Sequence, residues 1–166
     1  MTLPDLAAVL WRQRELMEQL AHRLECEQLL MVSGRTARLG LAVADVEKLV
    51  DHLQLVEMQR AQASDRAGAA LGLPPEAGLA ELSMAAGPPW NQLLMDHRAA
   101  LIELGEELRV LGDTTRRLAG GAVDAVQVAL NHLGVTSQAT AGVGYDASGR
   151  SDTGLPRLRM AIDRVM

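Results

Sequence analysis

Aromatic side chains are nearly absent from this 166-residue chain, since Trp11, Trp90 and Tyr145 make up only 2% of it and it has no Phe. A surface that stacks nucleic-acid bases needs more aromatic residues than these. Basic residues are also few, because 16 Lys and Arg stand against 21 Asp and Glu and leave a net charge of −5. Domains that bind nucleic acids usually carry a basic face. These two shortages predict no nucleic-acid partner.

Isoleucine is scarce as well, with Ile102 and Ile162 as its two occurrences, whereas Leu and Ala are abundant. Leu and Ala are strong helix formers, whereas isoleucine and the aromatic residues, which are scarce here, are among those enriched in β-sheets. The composition therefore predicts an all-α fold, and the length fits one domain or one domain with a tail.

Cysteine and long apolar runs are lacking too. The single Cys26 cannot form an internal disulfide or a cysteine-based zinc site. The longest apolar runs, Leu6–Trp11 and Leu39–Ala44, fall far short of the roughly 18 residues that cross a bilayer. Asp5 lies early in the chain, and no basic-then-apolar signal pattern surrounds it. We therefore expect a cytoplasmic protein without stable membrane insertion.

The first half of the chain predicts two long amphipathic helices. Apolar residues recur every three or four positions over Leu3–Met31, with Gln13 and Glu27 as interruptions. The following Ser33-Gly34 suits a helix end, because glycine accepts the left-handed cap conformation. A second stripe follows and weakens into alanines, and the Leu-Gly-Leu-Pro-Pro sequence at 71–75 ends it.

The third long helix has the most regular pattern. From Trp90 to His132 the apolar residues keep an a/d heptad repeat for about six heptads. We expect one continuous helix of roughly 44 residues, about 66 Å long, with a weak point at Gly120-Gly121. A short connector helix around Leu79 and Leu82 precedes it. The three long helices should then form an antiparallel bundle, with the heptad positions of the third facing the first two.

The composition changes after the third helix. Residues 134–154 are rich in Gly, Ser, Thr, Ala and Asp and have almost nothing to bury, so we expect them to be flexible. The last twelve residues regain an apolar line at helical spacing, made of Leu155, Leu158, Ile162 and Val165. A helix this short needs a docking surface to be stable. The chain is thus predicted to have a bundle domain (1–134) and a tail (135–166) that ends in an amphipathic helix.

No group of side chains indicates catalysis, a metal or a cofactor. The four histidines, His22, His52, His97 and His132, are far apart, and none has a second His or Cys at ligand spacing. We expect His97 and His132, on the core stripe, to be partly buried, hydrogen-bonded side chains. The Gly-Val-Gly at 142–144 lacks the strand, the helix and the third glycine of a dinucleotide fingerprint. The protein is therefore predicted not to be an enzyme and to need no cofactor.

An excess of apolar surface near the end of the third helix is more informative. A second apolar stripe lies there, made of Ala119, Val123, Val126, Leu130 and Leu133. Such a surface must be covered, and three covers stay open: the first two helices, the chain's own terminal helix, or a partner's amphipathic helix. The candidate partner-binding residues are Val123, Val126, Leu130 and Leu133 on the stripe, and Leu155, Leu158, Ile162 and Val165 on the terminal helix.

Sequence markers at the helix boundaries carry a resemblance to a known family. They are Leu10–Leu16 (LWRQREL) in the first helix, the Gly34-Arg35 break, Leu71–Pro74 (LGLP) at the end of the second helix, and Pro88-Pro89-Trp90 before Asp96–Leu101 (DHRAAL) in the third. Over residues 3–133 this layout resembles the flagellar export chaperones of the FlgN type, particularly those of high-GC Gram-positive bacteria.

The resemblance implies a cytoplasmic chaperone that holds the C-terminal amphipathic helix of hook-associated (hook–filament junction) proteins and delivers them to the type III export apparatus. It also implies that clients bind toward the C-terminal end, which here corresponds to the second stripe. Eight Met residues suit a surface that repacks around related helices. A structural coiled-coil or dimerisation module is the alternative, although it needs neither the second stripe nor the terminal helix. The sequence leaves open which client is bound and whether the protein forms a homodimer.

Overall fold

The computed structural model describes residues 3–132, and for Gln127 and residues 129–132 it describes the backbone alone. The described part consists of α1 (Leu3–Val32), a 3-10 turn (Thr36–Arg38), α2 (Leu39–Ala70), α3 (Leu79–Ala85) and α4 (Trp90–His132). No strand occurs among these residues, so the predicted all-α fold, with three long helices and a short connector, is confirmed. The predicted tail at 135–166 lies outside the described residues.

Two glycines end the first two helices. Gly34 has a φ of 70°, and the amide of Arg35 donates to the Leu30 carbonyl at 3.0 Å. Gly72 repeats this arrangement after α2 with a φ of 74°, and the amide of Leu73 donates back into α2 at 2.9 Å. A left-handed residue at this position satisfies carbonyls that the helix leaves unpaired, and glycine adopts it without a Cβ clash. The predicted helix ends are confirmed.

Helices α1 and α2 run antiparallel. Near the start of α1, the Gln13 side-chain amide donates to Glu57 Oε2 at 2.8 Å. Further along α1, Arg23 forms an ion pair with Asp45 at 3.7 Å, where α2 is near its own start. Residue numbers therefore rise in one helix as they fall in the other.

Helices α1 and α4 run parallel, as the first and third members of an up–down–up bundle must. The rings of Trp11 and His97 lie 4.8 Å apart, and 17 residues later Gln28 donates to Thr115 Oγ1 at 3.1 Å. The partners in these two contacts are offset by nearly the same number of residues. The two helices therefore keep nearly the same register from the first contact to the second.

The central helix of the bundle is α1, which packs against both α2 and α4. In the described part of the chain, no Cα atom of α2 lies within 8 Å of a Cα atom of α4. The expectation that the heptad positions of α4 face both other long helices is therefore wrong for α2. The connector α3 packs against α2 and α4 instead, and its Ser83 hydroxyl donates to the Asn91 carbonyl at 2.7 Å.

Leucine fills the core. The fully buried leucines come from three helices and are Leu6, Leu10, Leu20, Leu24, Leu82, Leu94, Leu101 and Leu108. The polar residues that interrupt the stripe of α1, Gln13 and Glu27, are buried as well. Gln13 is paired through Glu57, which in turn accepts two hydrogen bonds from Arg60, at 3.0 and 2.5 Å. A polar cluster thus joins α1 to α2 inside the apolar contact.

Candidate protein-binding surface

Helix α4 extends past the end of α1. Because the two helices are parallel and Gln28 is opposite Thr115, the last residue of α1, Val32, is level with Ala119. From Ala119 onward, the 14 residues 119–132 continue α4 for about 21 Å at 1.5 Å per residue, and 120–132 lie beyond the end of α1. We call residues 119–132 the arm.

Burial ends where the arm begins. Thr115 is buried and Leu118 half-buried, whereas the side chains from Ala119 to Val126 are exposed. Val126 follows Leu108 by 18 residues, which is five helical turns, so both lie on the same side of α4. Leu108 is 0% exposed and Val126 is 59% exposed. The core-facing side of α4 therefore continues into the arm and loses its cover there.

The structure describes the side chains of two of the eight candidate partner-binding residues. Val123 is 58% exposed and Val126 59%, so the first two helices do not cover them. The alternative that the first two helices cover the second apolar stripe is therefore wrong for these two residues. The reason is length, since α1 and the chain's return into α2 stop before reaching them. The side chains of Leu130 and Leu133, and the terminal-helix candidates Leu155, Leu158, Ile162 and Val165, lie outside the described residues.

Val32 adds to this surface and was missed by sequence reasoning. It lies one turn after Gln28, on the side of α1 that faces α4, and it is 73% exposed. The sequence shows on which side of α1 Val32 lies. It does not show that Val32 lies beside the arm, because that depends on the register between α1 and α4. We call Val32, Ala119, Val123 and Val126 the arm surface.

A pair of glycines lies at the base of the arm. Helix α4 passes through Gly120 and Gly121 without a break, as expected from the sequence. Among the described residues, a Cβ atom built on either glycine would meet no atom within 4 Å apart from the helix's own backbone, so packing there does not require glycine. Each glycine costs an exposed helix about 1 kcal/mol relative to alanine. The arm is therefore joined to the bundle through the part of α4 with the lowest helix propensity.

The other side of α4 is charged and self-neutralised. Arg109 contacts Glu106 at 2.6 Å and Asp113 at 3.3 Å, and Arg116 contacts Asp113 at 2.8 Å. The hydrogen bond from Arg109 lowers the pKa of Glu106. Such ladders at i,i+3 and i,i+4 spacing are typical of a solvated helix face. In contrast, the sequence from 118 to 131 contains Asp124 as its one charged residue.

His97 is buried in the contact between α1 and α4. Its imidazole meets Trp11 edge-on, with an interplanar angle of 83°, and the Arg14 guanidinium lies 4.7 Å from the centroid of Trp11. Burial lowers the pKa of His97, the positive charge of Arg14 lowers it further, and Asp96 opposes them. Among the described residues neither ring nitrogen has a hydrogen-bond partner, so the expected burial of His97 is confirmed and its expected hydrogen bond is wrong. The aromatic edge contact takes its place. The side chain of His132 lies outside the described residues.

The described residues hold no group of three or more His, Cys, Asp and Glu side chains able to bind a metal ion. Cys26 is a free, half-buried thiol with its Sγ 3.7 Å from Nε2 of His22, so the prediction that no histidine has a Cys at ligand spacing is wrong for this pair. Within the same part of the chain, none of the helices combines the length and the apolar character needed to cross a membrane.

The sequence also matches a known protein family. Residues 1–153 match the family described as FlgN protein. The chain belongs to the FlgN family. This is a family of chaperones in flagellum assembly, which makes the chain a flagellar export chaperone in general terms and implies hook-associated proteins as the general class of client. No curated protein and no solved structure matches the chain. The family match ends at 153, two residues before Leu155.

Proposed function

We propose that this chain is a cytoplasmic chaperone that binds the C-terminal amphipathic helix of a hook-associated protein on the arm surface. It then delivers that protein to the type III export apparatus. One observation carries the proposal: the core-facing side of α4 continues beyond the bundle, where Val123 and Val126 are more than half exposed. An apolar helix face of this kind is what an amphipathic partner helix covers.

The dimensions of the arm suit a helix as its partner. Fourteen residues give about four helical turns, enough to meet anchors at positions i, i+3, i+4 and i+7 of a client helix. Full burial of one valine side chain contributes about 1.5 kcal/mol or more. Val32 lies at the base of this surface and gives the client helix a contact with α1 as well.

Delivery to an export apparatus also requires release of the client. Gly120 and Gly121 lower the helix propensity at the base of the arm. In the described part of the chain no atom outside the helix's own backbone lies within 4 Å of a Cβ built on either residue, so alanine would stabilise the helix. Part of the binding free energy then orders the arm, which lowers the net affinity. A client held in this way is bound specifically and is still released readily.

Calorimetric titration with C-terminal peptides of hook-associated proteins tests the proposal. The Val126→Asp variant should bind at least about thirtyfold more weakly than wild type, since an unpaired carboxylate under a client helix costs about 2 kcal/mol or more. The matched control is Val110→Asp, which places the same charge on another side of α4 at a valine that is 49% exposed. Circular dichroism should show wild-type helicity for both variants.

Two results would contradict the proposal. Equal weakening by Val126→Asp and Val110→Asp would place the client elsewhere or show a loss of folding. Absence of peptide binding, together with a wild-type dimer that Val126→Asp dissociates, would favour the structural dimerisation module.

A further inference from the structure

The arm surface needs a cover when no client is bound. Its exposed valines stand at the end of a bundle whose helices stop short of them. Exposed apolar patches promote association between molecules. We propose that the chain's own terminal segment, residues 155–165, docks on the arm surface of the same molecule and is displaced by the client. This regulation rests on the proposed function because both concern the same surface.

The two surfaces match in length and in character. The arm has 14 residues and spans about 21 Å, and residues 155–166 would span about 18 Å as a helix. In the sequence, that segment carries one apolar line, made of Leu155, Leu158, Ile162 and Val165. A helix so short needs a docking surface to be stable. An apolar line of four anchors is the pattern that lies along an apolar helix face.

The connecting chain has the right reach. Twenty-two residues, 133–154, separate the end of α4 from Leu155. A flexible Gly- and Ser-rich chain of that length has a root-mean-square span of about 26 Å, slightly more than the length of the arm. The terminal segment can therefore turn back along the arm to its base at Ala119. Tethering gives an effective concentration of about 1 mM, so weak docking is well populated.

The charges of the two partners are compatible. The terminal segment carries Arg157, Arg159 and Arg164 against the single Asp163, so its sequence is basic outside the apolar line. The arm has no Lys or Arg and carries Asp124 beside the exposed Val123. Three arginines therefore approach a surface whose one charged residue is negative, and Asp163 is the single like charge that opposes them. The segment also lies beyond residue 153, where the family match ends, so it is an element that the match does not account for.

Two measurements on the full-length chain test the proposal, with Ile162→Asp as the variant and Met160→Asp as its control. Both changes add one negative charge, and Met160 lies about 160° around the predicted helix from Ile162. In the absence of a client, amide hydrogen exchange over 119–132 should be about tenfold faster in Ile162→Asp than in wild type or Met160→Asp. Client-peptide affinity should rise by up to about tenfold in Ile162→Asp alone, equivalent to about 1.4 kcal/mol.

The outcomes separate this proposal from the proposed function. Unchanged exchange in Ile162→Asp overturns the docking, whether or not client peptides bind. Faster exchange without any client binding supports the docking and contradicts the proposed function. Exchange is measured at two protein concentrations fiftyfold apart, because docking within one molecule is independent of concentration. Protection that increases with concentration would mean that a second copy supplies the segment, and would overturn the proposal.

Discussion

Gln28 donates its side-chain amide to Thr115 Oγ1 at 3.1 Å and to the Leu111 carbonyl at 3.0 Å. These two hydrogen bonds fix the register between α1 and α4, because they tie one residue of α1 to a single turn of α4. With that register, the two helices begin level at Leu3 and Trp90. Since α1 has 30 residues and α4 has 43, the difference in length becomes the uncovered arm.

Truncation of the α1–α4 contact should destabilise the bundle strongly. Leu101 and Leu108 are almost completely buried, so Leu101→Ala or Leu108→Ala should each lower the free energy of unfolding by about 2 to 5 kcal/mol. Met84→Ala, at a side chain that is 80% exposed, is the control and should change it by less than about 0.5 kcal/mol. Urea denaturation measures all three. Losses under 1 kcal/mol for both leucines would place them outside the core.

The polar cluster between α1 and α2 should respond to the loss of one charge. Arg60→Met leaves the buried Glu57 carboxylate with Gln13 as its remaining donor, and should cost about 3 to 5 kcal/mol. Adding Glu57→Gln removes that charge and retains an acceptor for Gln13, so the double variant should recover at least about 1 kcal/mol. A double variant less stable than Arg60→Met would show that the carboxylate is not an uncompensated buried charge.

Stability should fall as the pH drops below about 6.5, the usual pKa of histidine, in part because of His97. The folded state lowers the pKa of His97, so the unfolded state binds the proton more tightly in the window below 6.5. His97→Leu should remove this part of the pH dependence, which amounts to at most about 1.4 kcal/mol per pH unit. Denaturation at pH 7.5 and 5.5 measures it. An identical pH dependence for wild type and His97→Leu would contradict the neutral, buried imidazole.

Glu27 should act in the opposite direction. Burial raises its pKa, so the folded state favours the protonated carboxyl and loses stability as the pH rises from about 4.5 through the raised value. Glu27→Gln should therefore be more stable than wild type at pH 7, and this advantage should shrink on acidification toward pH 4.5. Thermal melts at both pH values measure the difference. A variant less stable than wild type at pH 7 would show that the carboxylate is favourably solvated.

Alanine in place of either glycine at the base of the arm should increase the stability of the helix. In the part of the chain that the structure describes, no atom beyond the helix's own backbone lies within 4 Å of a Cβ built on Gly120 or Gly121. Gly120→Ala and Gly121→Ala should each stabilise the helix by up to about 1 kcal/mol, seen as slower hydrogen exchange over the arm. Tighter client binding should follow, because less ordering accompanies association. Slower exchange with weaker binding would mean that the client requires a bend at these glycines.

The sequence predicted where the helices end more accurately than it predicted which helices pack against each other. Gly34 and Gly72 could be placed as helix ends because glycine has a local conformational role. Gln13 appeared as a mere interruption, since its partners Glu57 and Arg60 come from another helix and periodicity within one helix does not show them. The separation of α2 from α4 was missed for the same reason. The apolar stripe at Val123 and Val126 was visible, but its exposure depends on the register that Gln28 sets with Thr115.

Site-directed photo-crosslinking tests the central claim most directly. A benzophenone amino acid replaces Val126 in one variant and Val110 in a second, and each full-length protein is irradiated with a saturating amount of the C-terminal helix of a hook-associated protein. Crosslinks from position 126 to the apolar face of that helix, with none from position 110, are the predicted result. Crosslinks from position 110, or none from position 126 when calorimetry shows the client bound, would contradict binding on the arm.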